Sequence, residues 1–250
     1  MSSGRESPGD DSNNDNNIVR VINSKPVKIV DSNVAAGLAQ TTGWKTWGSA
    51  LVAGKLLSSE NKHGWVENKT VLDLSSGNGV VALICAALGA QQVVATECKT
   101  CIKILERNIE LNVNDSTHWL PEGKIIVKEC GWGETLLDHA LVNRDYDLVI
   151  LSDLVFIAVR DSIMDELIHT LLQIVTSPST KILLIYEERI LEGEEEFLNK
   201  LKLHFVCDKI ALSNDLLEWL DNDGDGSEIG NLFYERPAIQ IFVCTLKPGN

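Results

Sequence analysis

From Ile18 onward, short runs of continuous apolar residues alternate with longer segments whose apolar residues recur every three or four positions. The first pattern suits strands buried on both faces, and the second suits amphipathic helices. Val27–Val30 reads as a short β segment, and Trp47–Leu57 as a helix with Trp47, Leu51, Val52 and Leu56 on one face. Thr70–Leu74 is a compact strand that runs into a glycine-rich turn. An apolar helix follows over Val80–Leu88 and is closed by Gly89. Further strands are predicted at Val93–Glu97, Lys124–Glu129, Tyr146–Leu151 and Lys181–Tyr186. Further helices are predicted at Thr100–Leu111, Asp161–Val175 and Gly193–Leu203. Two strands, Phe205–Leu212 and Ala238–Leu246, end the sequence on either side of a long polar excursion.

Strands alternating with helices predict an α/β fold: a doubly wound, Rossmann-like seven-stranded sheet, mostly parallel, with a C-terminal antiparallel strand. Residues 1–17 are mainly Ser, Asn, Asp and Gly and bury too little apolar surface to offset ordering entropy, so a disordered polar tail is expected there. Residues 18–250 are expected to form one domain, since a chain of 250 residues suffices for a single sizeable core. No internal repeat is visible.

The formal charge of −14 changes the list of partners. An acidic surface repels phosphate backbones, so no nucleic-acid partner is expected, while a lysine-bearing protein surface would be attracted. Solubility alone explains the charge equally well. The N-terminus lacks the apolar stretch of a signal peptide, and no run of about 18 apolar residues occurs, so no membrane association is expected. The cytoplasm is the default location, with the nucleus left open, and a monomer is expected. Cys85 and Cys244 lie inside apolar runs and read as small core residues in a reducing compartment. Cys98 and Cys101 form a Cys-x-x-Cys pair, but no second pair accompanies it, so neither a metal nor a redox role is expected.

The segment richest in chemistry is Asp73-Leu74-Ser75-Ser76-Gly77-Asn78-Gly79. Open α/β sheets bind ligands at the carboxyl ends of their strands, and glycine there lets the backbone approach closely. Glu97 ends the next strand, where a carboxylate would accept hydrogen bonds from both ribose hydroxyls of an adenosine ligand. Gly77-x-Gly79-x-x-Ala82, with Glu97 20 positions beyond Gly77, also fits the dinucleotide fingerprint. A nicotinamide enzyme therefore stays open, although no Tyr-x-x-x-Lys pair occurs and the sequence ends in strands rather than another βαβ unit.

With Asp73 before the turn and Glu97 after it, the segment resembles the first motif of class I, seven-β-strand S-adenosylmethionine-dependent methyltransferases. Ser75 stands where that family usually has its first glycine. More of the sequence, over roughly residues 40 to 246, resembles methyltransferase family 16, a branch of small protein-lysine methyltransferases. The shared elements are Gly43-Trp44-Lys45-Thr46-Trp47, the tryptophan of Gly131-Trp132-Gly133, the Asp-x-x-aromatic of Asp153-Leu154-Val155-Phe156, and Tyr186-Glu187-Glu188-Arg189. Phe156 replaces the tyrosine of the branch.

The resemblance implies S-adenosylmethionine as cofactor and transfer of its methyl group to a lysine of a protein substrate, such as a translation factor or chaperone. It implies cofactor contacts from Trp47, Asp73, Ser75, Ser76, Gly77, Gly79, Glu97, Trp132 and Ser152. Glu97 would hold the ribose, Trp132 would lie against the adenine, and Asp153 and Phe156 would shape the catalytic mouth. Plain core or capping roles for Trp47, Trp132 and Asp153 are the competing readings. A small-molecule methyltransferase and a non-catalytic binding module also remain open. The absence of an Asn-Pro-Pro-Tyr segment weighs against DNA and glutamine as acceptors. Asp221-Asn222-Asp223-Gly224-Asp225-Gly226 begins like a calcium loop, but Leu232 stands where its twelfth-position glutamate belongs, so a solvated acidic loop is expected.

Overall fold

In the computed structural model, the residues described are 16–22, 24–31, 43–59, 63–135, 137–221 and 238–249. Seven strands form one sheet: β3 (Thr70–Leu74), β4 (Gln92–Glu97), β5 (Ile125–Glu129), β6 (Leu148–Ser152), β7 (Lys181–Glu187), β8 (Phe205–Lys209) and β9 (Ile239–Leu246). Their spatial order is β5-β4-β3-β6-β7-β9-β8. Pairings from β5 through β7 are parallel, and β9 is antiparallel to both of its neighbours. The predicted C-terminal antiparallel strand is thus present, inserted between β7 and β8.

The strand residues alternate between two cores, as a sheet covered on both faces requires. Val71, Ile150, Leu183 and Ile185 face one cluster, together with α1 (Gly48–Leu57), α2 (Val80–Ala87) and α3 (Ile102–Val113). Leu72, Val149, Leu151, Ile182 and Leu184 face the other. There they meet α5 (Leu154–Arg160), α6 (Met164–Ile174) and α7 (Leu191–His204), with the short α4 (His139–Val142) beside them. The helices carry their apolar stripes to these faces: α6 buries Leu167, Leu171 and Ile174, and α2, apolar all round, is buried along its whole length.

Three elements differ from the sequence expectations. A strand, β1 (Asn16–Ile22), pairs with β2 (Lys25–Asp31) as a two-stranded ribbon, so Asn16 and Asn17 belong to it rather than to a tail. The ribbon docks on α3 through Asn112, whose carboxamide accepts from Lys28 N–H (2.8 Å) and donates to Lys28 C=O (2.7 Å). The helix expected over Asp161–Val175 is α6, but a further helix that was not expected, α5, precedes it, and Ser162 at φ +58° separates the two. Part of the polar excursion before β9 forms α8 (Asn214–Asp221). The rest of the tail and the acidic loop from Asn222 lie outside the described residues.

Candidate functional site

The sheet order reverses between β3 and β6, and their carboxyl ends therefore splay apart into a crevice. Five segments converge there: the loop before α1, the β3–α2 turn, and the ends of β4, β5 and β6. One side of the crevice is a cavity of about 240 Å³ bordered by Gly43, Ser75, Glu97, Cys98, Cys101 and Trp132, among others. A smaller hollow continues it and shares Gly43, Ser75, Glu97 and Ile157, adding Trp47, Gly77, Ser152, Asp153 and Phe156.

The turn is held by main-chain bonds, which fix its shape independently of any ligand. Ser75 N–H donates to Thr96 Oγ1 (3.1 Å) and Ser76 N–H to the Thr96 carbonyl (2.7 Å). Ser75 sits at φ +55°, in the left-handed region where a glycine would rest freely, with Gly77 at +59° and Gly79 at +87°. Its hydroxyl has a use that glycine lacks, since Oγ accepts from the Trp132 indole N–H at 2.9 Å. That bond ties the end of β5 to the turn and sets the indole against the larger cavity.

Glu97 is 6% exposed, and its oxygens accept from Gly77 N–H (3.1 Å) and Cys98 N–H (2.6 Å). Burial pushes its carboxyl up to about 8, against the lowering effect of those two N–H groups. Gly43 faces it, and a β-carbon there would stand 3.2 Å from Glu97 Oε1 and 3.1 Å from Cys101 Cβ. The glycine of the Gly-x-x-x-Trp element is thus required by its close approach to the Glu97 carboxylate.

Asp73, Ser76 and Gly79 do not border the crevice. Asp73 lies beneath the turn, 1% exposed, and burial raises its carboxyl to about 7. Ser76 Oγ donates to the Asp73 carbonyl (2.8 Å), and Gly79 makes room for Leu105, whose Cδ1 would be 2.7 Å from an added β-carbon. These residues build the turn from below.

The smaller hollow is bordered by the aromatic rings of Trp47 and Phe156, and cations lie over both rings. Trp47, at the start of α1, has Lys45 Nζ 3.9 Å from its ring centroid and the Arg189 guanidinium 5.6 Å away. Phe156 has Arg189 at 5.1 Å and Arg160 at 5.6 Å. Asp153, at φ +64° and buried, makes no capping bond to α5. Instead its two oxygens accept from Arg189 Nη1 (2.9 Å) and Nη2 (3.0 Å), and Oδ1 also accepts from Ser49 Oγ (3.1 Å) and Glu187 N–H (3.3 Å). Sequence reasoning named Asp153 but missed its partner; the signal was the Arg189 that follows β7, whose side chain returns to the crevice. Ser152 Oγ is buried with no hydrogen-bond partner, which leaves a polar atom at the end of β6 for a ligand to satisfy.

The donors fit an adenosine-bearing cofactor. A carboxylate stands at the end of β4, an indole wall flanks the larger cavity, a glycine turn lies between them, and the buried hydroxyl of Ser152 is unsatisfied at the far end.

Comparison with known proteins agrees with this geometry. Residues 28–204 match the family model described as lysine methyltransferase. Protein N-lysine methyltransferase METTL21A of Mus musculus is 30% identical over 172 residues, covering 67% of this chain and 73% of its own. Its Xenopus tropicalis counterpart is 28% identical over 161 residues, covering 64% and 67%. Protein-lysine N-methyltransferase EFM3 of Chaetomium thermophilum is 31% identical over 180 residues, covering 69% of this chain but 50% of its own. Among solved structures, a Streptococcus mutans protein assigned as an S-adenosylmethionine-dependent methyltransferase superposes with a TM-score of 0.53 at 16% identity. That match covers 98% of this chain and 57% of that one, and it speaks to the fold.

Proposed function

This chain belongs to the lysine methyltransferase family, and on that premise we propose that its crevice positions S-adenosylmethionine to methylate the side-chain amine of a lysine on a partner protein. The observation that carries the reading is that the two hollows adjoin and share Gly43, Ser75, Glu97 and Ile157 as borders. A ligand seated in the larger one lies beside the aromatic mouth of the smaller one.

Glu97 would accept the ribose hydroxyls in place of some of its present backbone donors, and Trp132 would cover the adenine. Ser152 Oγ would gain its missing partner from the polar end of the cofactor. When bound, the cofactor supplies a methyl group already activated by its sulfonium. The protein therefore contributes mainly alignment and exclusion of water.

Trp47 and Phe156 would flank the aliphatic stem of the incoming lysine. Its amine, with an ordinary pKa of about 10.4, must arrive neutral for its lone pair to attack. Desolvation of the amine between those rings disfavours its charged form and so favours the neutral amine. Asp153 would act at one remove, by holding Arg189 and the backbone of Glu187 in place.

Incubation of the purified chain with methyl-labelled S-adenosylmethionine and cell lysate tests the reading. Label recovered as methyl-lysine after acid hydrolysis of lysate protein supports it. Label in nucleic acid or in small metabolites alone would overturn it.

A further inference from the structure

The turn between β4 and α3 carries chemistry that methyl transfer does not use. The Cys98 carbonyl accepts from both Cys101 N–H and Ile102 N–H, each at 3.0 Å, so the chain folds back and brings the two thiols to one side. A carboxylate oxygen of Glu97 and the sulfurs of Cys98 and Cys101 all lie within 4.8 Å of one another. Tetrahedral zinc, with bonds of about 2.3 Å to sulfur and about 2.0 Å to oxygen, holds donors of this kind just under about 4 Å apart. The three atoms are thus near chelating distance with only side-chain adjustment.

All three residues border the larger cavity, which leaves a fourth position open to solvent. Three protein ligands and one exchangeable position make an open metal site. The Cys-x-x-Cys spacing alone argues against a metal because no second pair exists. The third donor comes from the strand end instead, and no local sequence pattern announces it.

We propose that Glu97, Cys98 and Cys101 bind a thiophilic divalent cation of the zinc type, and that this ion and the cofactor exclude one another. The exclusion, unlike the ion site itself, rests on the reading of Glu97 as the ribose ligand. On binding, each thiol releases its proton to solvent as its sulfur bonds the metal, and the Glu97 carboxyl, raised to about 8, also gives up its proton and lends an electron pair. Nothing is oxidised or reduced. A thiolate pair selects zinc over magnesium or calcium, which prefer oxygen donors. Occupancy would therefore report zinc availability, and the exchangeable position would face the space that the adenosine needs.

The full chain, kept reduced with a phosphine, is titrated with Co²⁺ as an optical probe and then with Zn²⁺. A thiolate-to-cobalt charge-transfer band that Zn²⁺ bleaches is expected in the unaltered protein. It should weaken in Cys98→Ser and vanish in the Cys98→Ser/Cys101→Ser double variant. Absence of the band in the unaltered protein, or an equal band in the double variant, would overturn the site. So would mass spectrometry showing a Cys98–Cys101 disulfide under these conditions. Calorimetry with S-adenosylmethionine is then run with and without one equivalent of Zn²⁺. At least a tenfold weakening of cofactor binding is expected in the unaltered protein. In the double variant, no zinc-induced change from its own metal-free value is expected. A cobalt band together with cofactor binding that ignores Zn²⁺ would keep the ion site but overturn the exclusion, and with it the ribose role of Glu97.

Discussion

Ser75 holds a left-handed conformation that costs a non-glycine residue about 1–2 kcal/mol, yet its hydroxyl accepts the Trp132 indole N–H. A hydrogen bond of this kind contributes about 1 kcal/mol. Ser75→Gly removes both effects, so its unfolding free energy should stay close to that of the parent. Ser75→Ala keeps the strain, loses the bond, and should be less stable by about 1 kcal/mol. Urea unfolding of both variants checks this order; equal losses would show that the left-handed conformation carries no strain, and an unchanged Ser75→Ala would show that the bond contributes nothing. Asp73 adds a pH dependence. The unfolded chain ionises it near 3.8, whereas burial lets the folded chain keep its proton up to about 7. The folded state binds more protons in that window. This contribution to stability is therefore complete below about 3.8 and is lost as pH rises through 7. Urea midpoints measured from pH 5 to pH 8 should fall less steeply in Asp73→Asn than in the parent. At this scale the sequence exposed Glu97, because an acid at a strand end after a glycine turn has few other uses. It hid the Glu97–Cys98–Cys101 cluster and the Ser75–Trp132 bond, which join segments through folding rather than spacing.

Among the elements, the β6–α5 and β7–α7 junctions are clasped by Asp153 and Arg189, 36 positions apart in sequence. Both side chains are largely buried. Removing Arg189 leaves the Asp153 charge without a cation, at a cost of about 3 kcal/mol, whereas removing Asp153 leaves Arg189 its ion pair with Glu187 (2.6 Å). Arg189→Ala should therefore lose roughly that much and Asp153→Ala less, and the double variant should lose clearly less than the sum. Each single variant should also lose methyl transfer more severely than cofactor affinity, because the clasp shapes the mouth rather than the larger cavity. Additive losses would show that the two side chains act independently. Strands and helices with strong periodicity were legible before the structure: β3, α2, β4, α3, β6 and β7 lie within a few residues of their expected bounds. Others were not. The short α5 escapes the sequence reading because Leu154–Val159 is a continuous apolar run with no helical period. β1 begins with two asparagines and belongs to a ribbon outside the main sheet, and the short apolar set of α8 (Leu216, Leu217, Trp219, Leu220) is flanked by a long polar stretch that reads as loop.

Across the whole molecule, the strand order places the reversal between β3 and β6, and every side chain bordering the crevice follows from that topology. The charge of −14 would draw in a basic protein, whose lysine then meets a mouth bordered by Trp47, Phe156 and the paired carboxylate of Asp153. The central claim is that this crevice, with Glu97 at its floor, is where the cofactor is held. It is tested most directly by calorimetric titration of the chain and of Glu97→Gln with S-adenosylmethionine, with NADH in parallel. The account predicts that the parent binds S-adenosylmethionine and not NADH, and that Glu97→Gln weakens that binding at least about tenfold, or about 1.4 kcal/mol. Binding of NADH, or an affinity for S-adenosylmethionine that Glu97→Gln leaves unchanged, would contradict it.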